Sequence, residues 1–156
     1  MIIYGTLCFL VKDNKILLLK KSKELFGGGK WNAPGGKIRD GETPEEGAKR
    51  EFFEETGMEA KYLEKIGTLN FFPRNIRNKP EWVVYVFVAE SASGSMKRES
   101  REGVLKWFDL ESVPFEEMWE DDKYWYPYLL ERKKFKANFF FSGAFEKLED
   151  HELEVL

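Results

Sequence analysis

Glu51, Glu54 and Glu55 lie three and four residues apart in the run Arg50-Glu51-Phe52-Phe53-Glu54-Glu55. On a helix that spacing gathers them on one side, where like charges repel. Gly57 follows two residues after Glu55 and marks a helix end, and the dipole there disfavours carboxylates by ~0.3–1 kcal/mol each when exposed. A cation would offset both penalties. Clustered carboxylate oxygens suit a hard ion such as Mg²⁺, which keeps several waters and accepts substrate phosphates as further ligands. The alternative is a solvated acidic face paired with Lys49 and Arg50.

The helix that must carry these carboxylates is marked at both ends. Thr43 is placed to cap it, Pro44 takes the first helical position, Glu46 completes a T-x-x-E capping box, and Gly57 stops it. The signals predict a helix over Thr43–Thr56. Ahead of it, Ile2–Val11 and Ile16–Leu19 flank Lys12-Asp13-Asn14-Lys15 and predict a hairpin. Lys23–Lys30 holds Phe26-Gly27-Gly28-Gly29, which predicts a mobile loop, and Gly35-Gly36 follows Asn32-Ala33-Pro34. Further strands are expected at Lys61–Phe72, Trp82–Glu90 and Val104–Leu110, with Ser91–Ser95 as a turn, a second helix over Asp122–Lys134, and a last strand at Asn138–Ser142. That order predicts one domain over residues 1–156, an α/β (α+β) sandwich with a mixed sheet.

Composition narrows the possible functions. A chain of 156 residues with 42% hydrophobic and 34% charged residues belongs with globular proteins, not disordered or membrane-spanning ones. A net charge of −3 gives no general attraction to a polyanion, which excludes a nucleic acid polymer as partner but not a small phosphorylated ligand. The aromatic content of 16% is mostly core material. The lone cysteine, Cys8, sits in an apolar run and fits a small core residue in a reducing cytoplasm. No window is apolar enough to cross a membrane, and no basic flank precedes the N-terminal apolar stretch. A cytoplasmic monomer is expected.

The full spacing is more specific than the glutamates alone. Gly36, Glu42, Arg50, Glu51, Phe52, Glu54, Glu55, Gly57 and Met58 satisfy G-x5-E-x7-R-E-U-x-E-E-x-G-U, with U apolar. The chain thus resembles the Nudix hydrolases, α/β/α sandwiches that cleave nucleoside diphosphates linked to another group with Mg²⁺ or Mn²⁺. The resemblance implies Glu51, Glu54 and Glu55 as metal ligands, Arg50 as the residue that fixes a glutamate, and Gly36 as backbone close to metal and phosphate. Trp31-Asn32, Trp107-Phe108, Pro114-Phe115, Met118-Trp119, Asp121-Asp122, Tyr124-Trp125 and Lys133-Lys134-Phe135 are similar to one branch, the animal-type MutT homologues that hydrolyse 8-oxo-dGTP. That likeness implies a base read by Asn32, Asp121 and Asp122, stacked on Trp119 and walled by Phe26 and Phe71. It also implies Glu102 as a further acid near the metal. Lys20, Lys21 and Lys37 are candidates to touch the phosphates, the plainer reading being exposed lysines that only solubilise. Other readings are a Nudix hydrolase of another nucleotide or a catalytically silent nucleotide sensor.

The residues themselves agree with those roles. A purine edge needs donors and acceptors opposite it, and Asn32 offers both from one side chain. Two adjacent aspartates in a dry pocket repel when both are ionised, so one keeps its proton and donates while the other accepts. The plainer reading of Asp121-Asp122 is a cap for the second helix. The loop Pro73–Pro80, with Arg74, Arg77 and Lys79, and the bulky Trp82 depart from the branch, and Ala33-Pro34 is closer to its bacterial side.

Overall fold

Asp13 and Asn14 both adopt positive φ, 53° and 62°, in the computed structural model, which describes residues 1–26 and 28–156. That is the backbone a tight hairpin with right-handed strand twist requires. It joins β1 (Ile3–Lys12) to β2 (Lys15–Lys21) as the sequence predicts. Two short strands, β3 (Trp31–Asn32) and β4 (Gly35–Lys37), then pair with β2 and β1 respectively. Gly27, part of the expected mobile loop, lies outside the described residues.

Helix α1 (Pro44–Thr56) forms as its end signals dictate. Thr43 Oγ1 accepts from the Glu46 amide at 3.1 Å, Glu46 Oε1 accepts from the Thr43 amide at 2.8 Å, and Gly57 closes the helix at φ 78°. The long pair β5 (Glu59–Phe72) and β6 (Trp82–Ser93) follows, then β7 (Glu99–Ser100) and β8 (Gly103–Asp109), α2 (Asp122–Leu130), β9 (Phe135–Ser142) and β10 (Lys147–Val155). Among the described residues the main sheet order is β10-β9-β5-β6-β1-β2-β8-β7, with β1–β6 and β5–β9 parallel and the other pairs antiparallel. The expected mixed sheet is therefore present.

The sheet is covered on both faces. Cys8, Leu10, Leu17, Leu19 and Phe87 meet Ala48 and Phe52 of α1, while the alternate positions Phe9, Ile16, Leu18, Val86 and Val88 meet Trp125, Tyr126 and Leu129 of α2. Burial on both faces explains why β1 and β2 are nearly continuous apolar runs and not an alternation. Burial pushes the Cys8 thiol up to about 12, so it packs as an inert core group.

Three expectations need correction. The second helix ends at Leu130, four residues short of Lys134. Arg132 takes φ 58°, and the amides of Arg132 and Lys133 bond back to the carbonyls of Leu129 and Tyr128 at 3.1 and 2.9 Å. This is a Schellman stop with arginine where glycine usually signals it. Strand β6 runs on through Ser91-Ala92-Ser93, because those residues pair with Lys61, Ala60 and Glu59 of β5. The third is an omission: β10 lies in a segment for which the sequence predicts no element. Leu148 and Leu153 both pack inward although five residues apart, since a bulge between Leu148 and Asp150 shifts the register and hides the period-two pattern.

Candidate active site

Strand β4 and helix α1 approach so closely that Gly36 is needed between them. A Cβ at Gly36 would stand 2.7 Å from the Glu51 carboxyl carbon and 2.9 Å from both its oxygens. At Gly35 a Cβ would overlap the Thr6 carbonyl of β1. The glycine pair thus lets the α1 carboxylates lie against the sheet.

Arg50 organises the acidic cluster. Its guanidinium grips Glu42 at 2.6 and 3.0 Å, Glu51 at 2.7 Å and the Lys37 carbonyl at 3.0 Å, and reaches Glu54 at 3.4 Å. Such forked, charge-assisted bonds fix geometry as well as adding energy. The Arg50 hydrogen bond, helped by the Arg39 amide at 2.8 Å, holds the Glu42 carboxyl down to about 2. Lys49 pairs with Glu45 at 3.5 Å and takes no part in the cluster.

Glu55 differs from its neighbours. It is 2% exposed, and its Oε1 accepts only a 3.2 Å bond from the Gly35 amide. Burial first, then the charges of Glu51 and Glu102, raises its carboxyl to about 8. A buried carboxylate among like charges, beside a backbone cradle, is a group a cation would stabilise. Among the described residues no three acidic, histidine or cysteine side chains close into a metal cage on their own. The donors are nevertheless all hard oxygens, which fits an ion sharing its coordination among protein, water and substrate phosphate.

One cleft of about 640 Å³ joins this acidic end to the aromatic one. Gly36, Lys37, Glu51, Glu54, Glu55 and Glu102 line it together with Asn32, Phe26, Phe71, Trp119, Asp121 and Asp122. Glu102 enters from the β7–β8 turn, its carbonyl accepting from the Ser22 amide at 2.9 Å. Arg50 lies behind the carboxylates it holds. Lys20 is the exception among the expected residues: both Lys20 and Lys21 line a separate surface hollow, but only Lys21 also reaches the cleft, while Lys20 sits 5.8 Å from the Trp31 ring centre.

At the aromatic end, Trp119 lies 5.5 Å from Phe26, with the Lys30 ammonium 5.3 Å from its ring. Phe71 stacks on Phe139 at 5.9 Å. Asn32 Oδ1 accepts from the Ala33 amide at 2.8 Å, which fixes the plane of its carboxamide. Asp121 and Asp122 are each 2% exposed. Asp121 makes no side-chain cap to α2; instead its Oδ2 accepts from Trp125 Nε1 at 2.9 Å. Burial raises the Asp121 carboxyl to about 6, and burial plus the Asp121 charge raises Asp122 well above the ordinary range. Both shifts favour a proton retained by the pair, which would offer a donor beside an acceptor.

Trp82 does enter the cleft, with the Lys37 ammonium 5.8 Å from its ring. Two of the loop's cations are paired locally: Arg74 with Glu81 at 2.6 Å, and Arg77 with Asp150 at 3.1 Å while covering the Phe140 ring. Sequence reasoning missed Thr6, Lys30, Glu81, Phe141 and Phe145 as lining residues. The alternation in β1 and β9 could have exposed Thr6 and Phe141; Lys30, Glu81 and Phe145 lie in connections, where no period points to the cleft.

Comparisons with known proteins agree with this geometry. The model of the NUDIX domain matches residues 1–129. The chain is 42% identical to the oxidized purine nucleoside triphosphate hydrolase of Mus musculus, over 87% of this chain and 85% of the mouse protein. It is 39% identical to the protein of the same name from Danio rerio, over 96% and 92%. Among solved structures, a MutT protein from Bacillus halodurans superposes with a TM-score of 0.85 at 31% identity, covering 98% of both chains.

Proposed function

The chain belongs to the Nudix family, and from that premise we propose that it hydrolyses oxidised purine nucleoside triphosphates such as 8-oxo-dGTP to the monophosphate and pyrophosphate, using Mg²⁺ or, in its place, Mn²⁺. One observation carries the reading: a carboxylate cluster suited to a hard cation and a buried acid pair suited to a purine edge line the same cleft. The similar animal proteins named for oxidised purine triphosphates support the substrate class.

Each residue has a part in that reaction. Glu51, Glu54, Glu55 and Glu102, with the Gly36 backbone, would hold the cation, which supplies charge neutralisation at the phosphate oxygens and a positioned water. Arg50 holds Glu51 in place through its 2.7 Å bond, anchored in turn on Glu42. Lys21 and Lys37 lie where the polyphosphate would run. Asn32, Asp121 and Asp122 read the base, with Trp119, Phe26 and Phe71 as its apolar walls. One chain supplies both ends of the cleft, which supports a monomer as the acting form.

Pyrophosphate release from a panel of nucleotides, with and without Mg²⁺, tests the assignment. Oxidised purines should be cleaved first and only with the cation. In heavy-oxygen water the label should enter pyrophosphate, as attack at the β-phosphorus requires. Release of orthophosphate alone, or no preference for the oxidised purines, would overturn it.

A further inference from the structure

We propose that the surface hollow beside the carboxylate cluster is a second anion subsite, which takes the terminal phosphate of the substrate through Lys23 and Arg101. The proposal deepens the functional reading and rests on it. The hollow encloses about 620 Å³ where the end of β2 meets the β7–β8 turn. Lys20, Lys21, Lys23 and Arg101 line it against two carboxylates, Glu24 and Glu99. In a chain of net charge −3 that is a local excess of cations. Among the described residues Arg39, Arg50, Arg74 and Arg77 each pair with a carboxylate, whereas these four pair with none, Glu24 and Glu99 included. Like charges held together repel, and an anion between them removes the penalty.

The hollow adjoins the cleft at its acidic end, which lysines that only solubilise would not require. Lys21 lines both spaces, and its charge reaches the Glu55 carboxyl together with that of Glu102. Arg101 directly precedes Glu102, so one turn supplies an acid to the cleft and a cation to the hollow. That turn is fastened to β2. The Ser22 amide donates to the Glu102 carbonyl at 2.9 Å, and the Glu102 amide donates to Ser100 Oγ at 3.2 Å. Gly103 lets the two segments close up, since a Cβ there would overlap the Lys20 carbonyl. The backbone under the hollow is therefore fixed before any ligand arrives, which lowers the cost of binding one. A triphosphate laid from the base end across the carboxylates passes Lys21 and then meets this hollow, so its last phosphate is the group that Lys23 and Arg101 would hold.

The test is Lys23→Gln with Arg101→Gln in the full chain, at fixed ionic strength. Both side chains are exposed, so the double variant should unfold within about 3 °C of the wild type. KM for 8-oxo-dGTP should rise by about fivefold or more with kcat within about twofold, because two charge contacts to a bound phosphate are lost. Inhibition by pyrophosphate should weaken by a similar factor. Inhibition by 8-oxo-dGMP, which lacks the β and γ phosphates, should stay within about twofold. Lys136→Gln with Lys147→Gln removes the same charge from β9 and β10, at the opposite edge of the sheet, and should change none of these values. An unchanged KM and pyrophosphate inhibition overturn the proposal. So does a loss shared by 8-oxo-dGMP or by the β9–β10 variant, since the effect would then be a general attraction of anions. A wild type that cleaves oxidised purines no faster than dCTP would instead contradict the functional reading, and pyrophosphate inhibition of the two variants would still decide the hollow.

Discussion

Glu55 is the carboxylate whose state reports most directly on the metal end of the cleft. Replacing it by glutamine should lower kcat by ~10² or more with the fold intact, because a neutral amide weakens the hold on the ion that stabilises the transition state. Activity within threefold of the wild type at saturating Mg²⁺ would remove Glu55 from the ligand set. Its pKa makes a second prediction. Raised from 4.5 to about 8 in the folded chain, Glu55 keeps a proton that the unfolded chain has already released across that window. The metal-free protein should therefore lose stability as pH rises from about 4.5 to about 8. Thermal unfolding in a chelator at pH 5 and pH 8 should show a larger fall for the wild type than for Glu55→Gln; equal falls would mean that the carboxyl ionises freely. The spacing of the glutamates was legible in the sequence, but their inequality was not. Glu54 is exposed and Glu55 buried because of how α1 sits on β4, which spacing along one helix cannot reveal.

Helix α1 and strand β4 act as a unit, and the Gly36 contact tests it. Gly36 has no left-handed backbone to protect, so Gly36→Ala should cost little stability, within about 1 kcal/mol. Its methyl group would nevertheless displace the Glu51 carboxylate, and a shift of that kind should lower kcat/KM by about 10²-fold. Unimpaired turnover by the alanine variant would show that Glu51 needs no fixed place. The same elements show what a sequence can carry. Thr43, Pro44, Glu46 and Gly57 define α1 to the residue because each signal is local. Helix α2 ran over its true end because Arg132 replaces the expected glycine, and β10 escaped notice because its bulge breaks the alternation. The Asp121 side chain went to Trp125 and not to the helix amides, a choice made by burial and invisible to a capping rule.

The fold's contribution is to bring distant segments to one cleft. The carboxylates come from α1 and the β7–β8 turn, Asn32 from β3, and the acid pair from the start of α2, so neither end exists until the sheet has closed. Motif spacing revealed the first end and likeness to a branch the second, whereas nothing in the sequence tells that Lys21 and not Lys20 reaches the cleft. In the proposed function the acid pair reads an oxidised purine at the end of the cleft away from the carboxylate cluster. The most direct measurement is kcat/KM for 8-oxo-dGTP, 2-hydroxy-dATP and dCTP with the wild type and with Asp121→Asn. The asparagine fixes a donor and acceptor pattern that the wild type adjusts, so the two oxidised purines should lose activity unequally, by about 5- to 150-fold, while the poor cleavage of dCTP hardly changes. An equal loss for all three nucleotides would contradict the claim, because Asp121 would then support the fold and not read the base.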